Sequence, residues 1–216
     1  MIRAVLFDMD GVLVDTEKLM LSCSIDGLRE YGINASPEDF EEFVGAGEEL
    51  YIGGTVKKLG GNYMPEMKER VYEIYGERVT PEYCCPGAVK ALDFVKAHGL
   101  RMAICSSADR TKVLHNLRVL GIDEKEFGTV ISGLDVKRCK PYPDVYLLGA
   151  ERLGVDINDC VVFDDTPNGV RAGIASGART IAVGTSYPEE EFLSKMKPFG
   201  YVKDISELPA TLGKLL

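Results

Sequence analysis

The chain has 216 residues, of which 45% are hydrophobic and 27% charged, and this suffices for one sizeable core with a smaller appended unit. Its formal net charge of −9 argues against nucleic acid as a partner, because phosphate backbones require clustered Lys and Arg side chains. The chain has six cysteines without CxxC spacing and only two histidines, which argues against a zinc site. It shows no basic leader and no long apolar stretch, so we expect a soluble, cytoplasmic protein with no membrane partner.

A short apolar run near the start of the chain ends in two acids. Residues 2–7 are mostly apolar and predict a buried β-strand, which Asp8, Asp10 and Gly11 interrupt at once. Side chains two positions apart on an extended backbone point to the same side, so we expect Asp8 and Asp10 to face one small volume. Two like charges held close are unfavourable unless a cation or a proton offsets them. This cost indicates that the pair serves chemistry.

The next segment has a helical pattern from residue 17 to about residue 78 and contains no convincing strand. Residues 19–31 form an amphipathic run that stops at a glycine. Residues 36–39 indicate a helix start, because a hydroxyl side chain is followed by a proline and an acid. The last helix of this segment is predicted from about residue 65 to residue 75.

Helices and strands alternate in the remainder of the chain, which predicts a parallel sheet with helices on both faces. The predicted helices are 88–98, 110–120, 144–153 and 169–175, the predicted strands are 101–105, 129–132, 160–163 and 180–183, and a weak strand at 201–202 precedes a final helix at 205–216.

These patterns predict an α/β fold, a doubly wound, Rossmann-like parallel sheet interrupted after its first strand by an all-helical insert. We assign residues 1–15 and 82–216 to the α/β core and residues 16–81 to a helical cap domain. The two short connections between these units are natural hinges.

Polar residues follow each interior strand of the predicted sheet. Ligands of a doubly wound sheet bind outside the carboxyl ends of its strands, so we expect these side chains to converge on one crevice. They are Asp8 and Asp10 after the first strand, Ser106 after the second, Lys140 after the third, and Asp164 with Asp165 after the fourth.

Several carboxylates without His or Cys ligands are typical of a hard-cation site, and Mg²⁺ suits such a site best. The hydroxyl of Ser106 and the ammonium of Lys140 are suited to binding phosphoryl oxygens. One carboxylate can attack phosphorus to give an aspartyl-phosphate, and a second can protonate the leaving oxygen and later deprotonate water. The predicted site therefore fits phosphoryl transfer.

The chain resembles the haloacid dehalogenase-like superfamily, in the branch that contains β-phosphoglucomutase and sugar-phosphate phosphatases. The resemblance covers essentially the whole chain and includes four ordered motifs. These are residues 8–12 (DMDGV), Ser106 at the end of strand 102–105, Lys140 with Pro141, and residues 163–169 (FDDTPNG).

This resemblance implies a role for each motif residue. Asp8 would be the nucleophile and Asp10 the general acid and base, and Ser106, Ser107 and Lys140 would bind phosphate. Mg²⁺ would be held by Asp8, the backbone carbonyl of Asp10, Asp165 and, directly or through water, Asp164. The helical insert would be the mobile cap. Halide-cleaving members usually lack the second acid of the first motif, so Asp10 points to phosphate chemistry.

The sequence differs from the sugar phosphomutases at three places that bear on a second anion-binding site. Met20 stands where they carry a histidine, residues 45–49 (GAGEE) are acidic where they carry an arginine, and Ala108 replaces a polar residue. A mutase must hold two phosphates in alternating orientations. The departures therefore favour a phosphatase.

Less specific alternatives exist for several residues. Asp164 with Asp165, and Ser106 alone, are also compatible with helix starts. Further candidates for contacts with the substrate or the cap are Thr16, Gly47, Glu48, Arg110 and Asn168. Three of them have a structural alternative: Thr16 is also compatible with a hinge, Glu48 with a helix N-terminus and Arg110 with a solvated helix face.

The sequence therefore predicts a monomeric, magnesium-dependent phosphatase that acts on a small phosphorylated metabolite, a sugar or polyol phosphate, through an aspartyl-phosphate. A β-phosphoglucomutase-type phosphomutase is the alternative enzyme, and a non-catalytic phosphometabolite-binding protein is the alternative outside catalysis.

Overall fold

The structure is a computed structural model that describes residues 1–44 and 47–216, and within these residues six parallel strands form one sheet in the order β3-β2-β1-β4-β5-β6. Leu6 in the central strand lies opposite Ala103 on one side and Val162 on the other. The strands are β1 Ala4–Phe7, β2 Arg101–Cys105, β3 Thr129–Ile131, β4 Cys160–Asp164, β5 Arg179–Val183 and β6 Gly200–Val202. The predicted doubly wound α/β fold is confirmed, and the strand order reverses between β1 and β4.

Helices cover both faces of this sheet. Alternate residues of a strand point to opposite faces, and the residues of β1 are buried on both. Val5 and Phe7 belong to a hydrophobic cluster with the side chains of α4, α5 and α9, whereas Leu6 packs with those of α6 and α7. The helices of the described residues are α1 Glu17–Glu30, α2 Glu48–Lys58, α3 Pro65–Arg78, α4 Ala88–Ala97, α5 Arg110–Val119, α6 Asp144–Leu153, α7 Pro167–Ser176, α8 Glu189–Lys195 and α9 Leu208–Gly213.

Helices α1, α2 and α3 form a separate unit between β1 and α4. Their buried side chains, among them Leu28, Ile52 and Val71, make a hydrophobic cluster of their own. Gly27 lets α1 and α3 approach closely, because a Cβ atom there would lie 2.7 Å from Cγ2 of Val71. We retain residues 16–81 as the proposed boundaries of this helical insert.

The two connections between the insert and the core lie side by side. Val14 and Cys84 form an antiparallel β-bridge. The Asp15 amide donates to the Tyr83 carbonyl at 2.8 Å, and the Cys85 amide donates to the Leu13 carbonyl at 2.9 Å. The chain thus leaves and re-enters the core at one place.

Three local elements differ from the sequence-based expectation. The predicted helix start at residues 36–39 is only a 3-10 turn, because the Asp39 carboxylate accepts from both the amide and the hydroxyl of Ser36 and closes the turn locally. Helix α8 was not predicted, since Phe192 is its one fully buried side chain. The final predicted helix is divided into a 3-10 turn, Ile205–Glu207, and the shorter α9.

No helix in residues 1–44 or 47–216 is long and apolar enough to cross a membrane.

Candidate active site

The loops at the carboxyl edge of the sheet place the predicted site residues around one cavity of about 500 Å³. Asp8 follows β1, Ser106 follows β2, and Asp165 follows β4. The cavity lies between this edge and the helical insert. Residues of the predicted site that line it are Asp8, Asp10, Ser106, Ser107, Lys140, Asp165, Gly47 and Asn168.

Lys140 joins two carboxylates at the base of the cavity. Its Nζ lies 2.8 Å from Oδ1 of Asp8 and 2.8 Å from Oδ2 of Asp164, and its side chain is 6% exposed. Burial alone would lower the pKa of Lys140, but the charges of Asp164 and Asp8 raise it above its usual value. The ammonium is therefore held in its charged form beside Asp8.

Asp164 is fully buried and saturated by protein donors. Its Oδ1 accepts from the amide and the hydroxyl of Thr166, both at 2.9 Å, and its Oδ2 accepts from Lys140 and from the hydroxyl of Tyr146. A Cβ atom at Gly169 would overlap this carboxylate. Asp164 therefore orients Lys140 and the start of α7, and Thr166, not the acid pair, is the N-cap of that helix.

The two carboxylate oxygens of Asp165 differ in their hydrogen bonding. Its Oδ2 accepts from the hydroxyl of Ser186, whereas its Oδ1 is buried and has no hydrogen-bond partner among the described residues. Burial raises the pKa of Asp165 well above its ordinary value, and the charges of Asp164 and Asp8 raise it further. Gly11 adopts a positive φ of 75°, and a Cβ atom at this position would overlap the Asp165 carboxylate.

The buried acids fit a hard cation. Asp8, Asp164 and Asp165 each offer an oxygen, and these atoms lie within 4.8 Å of one another. Burial raises the pKa of Asp8 to about 7, with Lys140 opposing this shift and Asp164 adding to it. A divalent cation would supply a partner for Oδ1 of Asp165, and an all-carboxylate donor set suits Mg²⁺.

Asp10 lies outside this group of acids, with a side chain that is 23% exposed. Its Oδ1 accepts from the hydroxyl of the buried Thr16, and its Oδ2 lies 3.0 Å from Nζ of Lys112. Sequence reasoning missed Lys112. The available signal was its helical spacing with Val113 and Asn116, which places a lysine on the buried face of α5.

Ser106 is buried next to the acids. Its hydroxyl accepts from the Ala108 amide at 3.1 Å, and its own amide donates to the Ile131 carbonyl at 3.0 Å. The N-cap of α5 is Asp109, so capping that helix is not the role of Ser106. The position of Ser106 in the cavity wall leaves its hydroxyl available to a bound anion.

The remaining candidates fall in different places. Gly47 lines the cavity directly before α2, with a φ of 88°, and Asn168 is exposed at its rim. Arg110 is exposed, pairs with Glu124 at 2.6 Å and does not line the cavity. The side chain of Glu48 lies outside the described part of the structure, as do Gly45 and Ala46 of the acidic loop.

The insert contributes mainly apolar and aromatic side chains to the cavity. Met20, Phe43 and Tyr51 line the wall contributed by the insert. Lysines among the described lining residues are Lys18, Lys112 and Lys140, and the last two pair with acids of the core.

Residues 5–183 match the sequence model of the haloacid dehalogenase-like hydrolase family. The chain belongs to this family. The predicted family and the prediction that the chain is a hydrolase are both confirmed, and the match covers both the helical insert and the strands that carry the acids.

Relatives within the family differ in how much of their length the chain spans. It is 33% identical over 184 residues to the phosphorylated carbohydrates phosphatase of Thermotoga maritima, with 83% of each protein covered. It is 39% identical over 193 residues to SUPPRESSOR OF QUENCHING 1 of Arabidopsis thaliana, a chloroplastic protein, with 87% of the chain but 18% of that relative covered. The chain thus spans less than a fifth of the plant protein.

Among solved structures, CbbY from Rhodobacter sphaeroides in complex with phosphate aligns with a TM-score of 0.84 at 25% identity. The alignment covers 96% of each chain, so the arrangement of core and insert is shared throughout.

Proposed function

We propose that this protein is a magnesium-dependent phosphatase that hydrolyses a small phosphorylated metabolite, a sugar or polyol phosphate, through an aspartyl-phosphate. The observation that carries the proposal is a buried oxygen of Asp165 with no partner among the described residues, beside Asp8 and Lys140 at the base of one cavity. A phosphate group is the ligand that this combination of acids and a buried ammonium suits, since the cation and Lys140 together offset its charge.

Asp8, Asp165 and the backbone carbonyl of Asp10 would hold the metal. Asp164 would act through water, because its two oxygens already accept four hydrogen bonds. When bound, Mg²⁺ would neutralise phosphoryl oxygens and the mutual repulsion of the acids.

The proposed reaction has two steps. An oxygen of Asp8 forms a bond to phosphorus while the bond to the leaving oxygen breaks, and Asp10 donates a proton to that oxygen. Water then attacks the phosphorus of the aspartyl-phosphate, its proton returns to Asp10, and inorganic phosphate and the Asp8 carboxylate are released. Lys140 holds Asp8 in place, and the hydroxyls of Ser106 and Ser107 bind the phosphoryl oxygens.

Two similar proteins support the proposed substrate class. The Thermotoga maritima relative is named as a phosphatase of phosphorylated carbohydrates, and CbbY was solved with phosphate bound. A cavity of about 500 Å³ accommodates a phosphorylated sugar. A monomeric state and a cytoplasmic location stay predictions from the sequence.

The test is phosphate release across sugar, polyol and nucleotide monophosphates, with and without Mg²⁺. Asp8→Asn should lower kcat by roughly 10³-fold or more, because removal of a nucleophile removes the covalent route. Asp93→Asn, an equivalent change at an exposed position of α4, should leave kcat unchanged.

Two results would replace this proposal. Conversion of β-glucose 1-phosphate to glucose 6-phosphate without phosphate release would identify a phosphomutase. Tight binding of phosphorylated metabolites without either reaction would identify a binding protein.

A further inference from the structure

The carboxylate of Asp10 is held by two donors, one on each oxygen. Thr16, which precedes α1, donates to Oδ1, and Lys112, which lies in the first turn of α5, approaches Oδ2 at 3.0 Å. Asp10 and Lys112 are 102 positions apart in the chain. This contact therefore depends on the fold and is not a by-product of local geometry.

Lys112 occupies an unusual place for a lysine. Its side chain is 7% exposed, and its Nζ lies 5.8 Å from the ring centroid of Tyr75, a residue of α3 in the insert. Removing an ammonium from water is costly unless acids or aromatic rings compensate it. The ammonium is thus enclosed where the core meets the insert, beside the acid that faces the cavity.

We propose that Lys112 is a positioning residue that fixes the Asp10 carboxylate for proton transfer to the leaving oxygen. The proposal rests on the proposed function, in which Asp10 donates that proton. Thr16 alone would leave the carboxylate free to rotate about its bond to Cβ. When Lys112 contacts the second oxygen, the plane of the carboxylate is fixed before substrate binds. This matters for the rate, because a catalytic group misplaced by about 1 Å can slow a reaction by as much as ~10²-fold.

A purely structural role of Lys112 predicts a different result. Loss of the contact between α5 and the insert would slow all substrates equally, because each needs the same closed cavity. Loss of positioning at Asp10 would slow only those substrates whose leaving oxygen needs a proton. The dependence of the rate on the leaving group therefore separates the two roles.

The experiment compares p-nitrophenyl phosphate with benzyl phosphate in the presence of Mg²⁺. The two leaving groups are similar in size, but p-nitrophenolate departs without a proton whereas benzyl alcohol needs one. Release of the leaving group is followed in a single turnover with enzyme in excess, so that only the first step is measured. The variants are Lys112→Met, which keeps an unbranched apolar stem without the ammonium, Lys112→Arg, which keeps the charge, and Lys90→Met, an exposed control on α4.

Lys112→Met should lose about tenfold more rate with benzyl phosphate than with p-nitrophenyl phosphate, within the range that general acid catalysis contributes. Lys112→Arg should recover most of that difference, and Lys90→Met should show none. Equal losses with both substrates, or no loss, would overturn the positioning role while the proposed function stands. If the unmodified protein releases neither leaving group and also releases no phosphate from the sugar, polyol and nucleotide monophosphates, the proposed function and this inference are both overturned.

Discussion

The negative charges around Asp165 are only partly compensated by protein groups. One of its oxygens is buried without a partner among the described residues, and Asp8 and Asp164 lie close by. Lys140 is already shared between Asp8 and Asp164, so it compensates only part of this charge. The folded protein without metal therefore pays for keeping these acids ionised.

This imbalance predicts a pH-dependent response to Mg²⁺. The pKa of Asp8 is about 7 in the folded protein against 3.8 as its ordinary value, so the folded state binds more protons than the unfolded state between these limits. Stability without metal should therefore fall as pH rises from about 4 to about 7. Saturating Mg²⁺ should raise Tm by about 5–10 °C at pH 8 and by less at pH 5.

Thermal unfolding at both pH values, with and without Mg²⁺, checks this prediction. Asp165→Asn should raise Tm of the metal-free protein at pH 8 and remove most of the Mg²⁺ response, with Asp93→Asn as the unaffected control. An Mg²⁺ shift of the same size at pH 5 and pH 8 would contradict it.

The loop between β4 and α7 is the element that orders the buried acids. Thr166 caps α7 through its hydroxyl, which also donates to Asp164, and Gly169 in the first turn leaves room for that carboxylate. Helix start and acid thus stabilise each other. The helix cannot shift without moving the residue that anchors Lys140.

Gly169→Ala tests this coupling. In an ordinary helix interior this change stabilises by up to about 1 kcal/mol, but here the new Cβ overlaps the Asp164 carboxylate. We expect a loss of about 1–3 kcal/mol in the free energy of unfolding and at least about a tenfold loss of kcat. Gly213→Ala in α9, where a Cβ atom would lie 3.9 Å from the nearest side-chain atom of Phe94, is the matched control.

Urea unfolding and steady-state rates measure the two effects. A Gly169→Ala protein as stable and as active as the control would show that the carboxylate relocates freely, and the proposed coupling would fail.

Elements and site residues differed in how far they could be predicted from the sequence. The strands β2 and β4 were predicted within one residue, because each is a short apolar run bounded by polar residues. Asp8 and Asp165 were predicted as site residues because they stand where such runs end, whereas Lys140 lies well beyond the end of β3 and was predicted from its position before Pro141 in the family motif. Lys112, Tyr146 and Ser186 were missed, since their contacts with the acids join segments 18 to 102 positions apart. Helical spacing places Lys112 on a buried face, but it does not indicate which acid the ammonium contacts.

At the scale of the whole molecule, an ion pair between Lys68 and Asp109 connects the insert to the core near the cavity. Lys68 of α3 lies 2.7 Å from Asp109, the N-cap of α5, and 2.9 Å from Glu49 of α2. The side chains of Lys68 and Asp109 are 17% and 10% exposed, so this contact is screened less than a surface pair. It favours the arrangement in which the insert covers the acids.

Lys68→Met should therefore shift the insert away from the core. A partly exposed pair contributes about 1 kcal/mol, which corresponds to roughly a fivefold rise in KM with a smaller change in kcat. Lys57→Met, at an exposed position of α2, should change neither constant. Steady-state kinetics at low and high salt measures this effect. Salt weakens the binding of a charged substrate in both proteins, but it should raise KM more in the unmodified protein than in Lys68→Met. An unchanged KM in Lys68→Met would contradict the prediction.

The bridge between Val14 and Cys84 has a consequence for how this fold can change. Because the two points of attachment are neighbours, the insert is topologically a single side branch of the core. If the insert were deleted, a tight turn would be enough to join the two ends of the core. If it were replaced by another domain whose termini lie close together, the connectivity of the sheet would stay intact. The insert, which lines one wall of the cavity, can thus be exchanged or rebuilt independently of the sheet whose loops carry the buried acids.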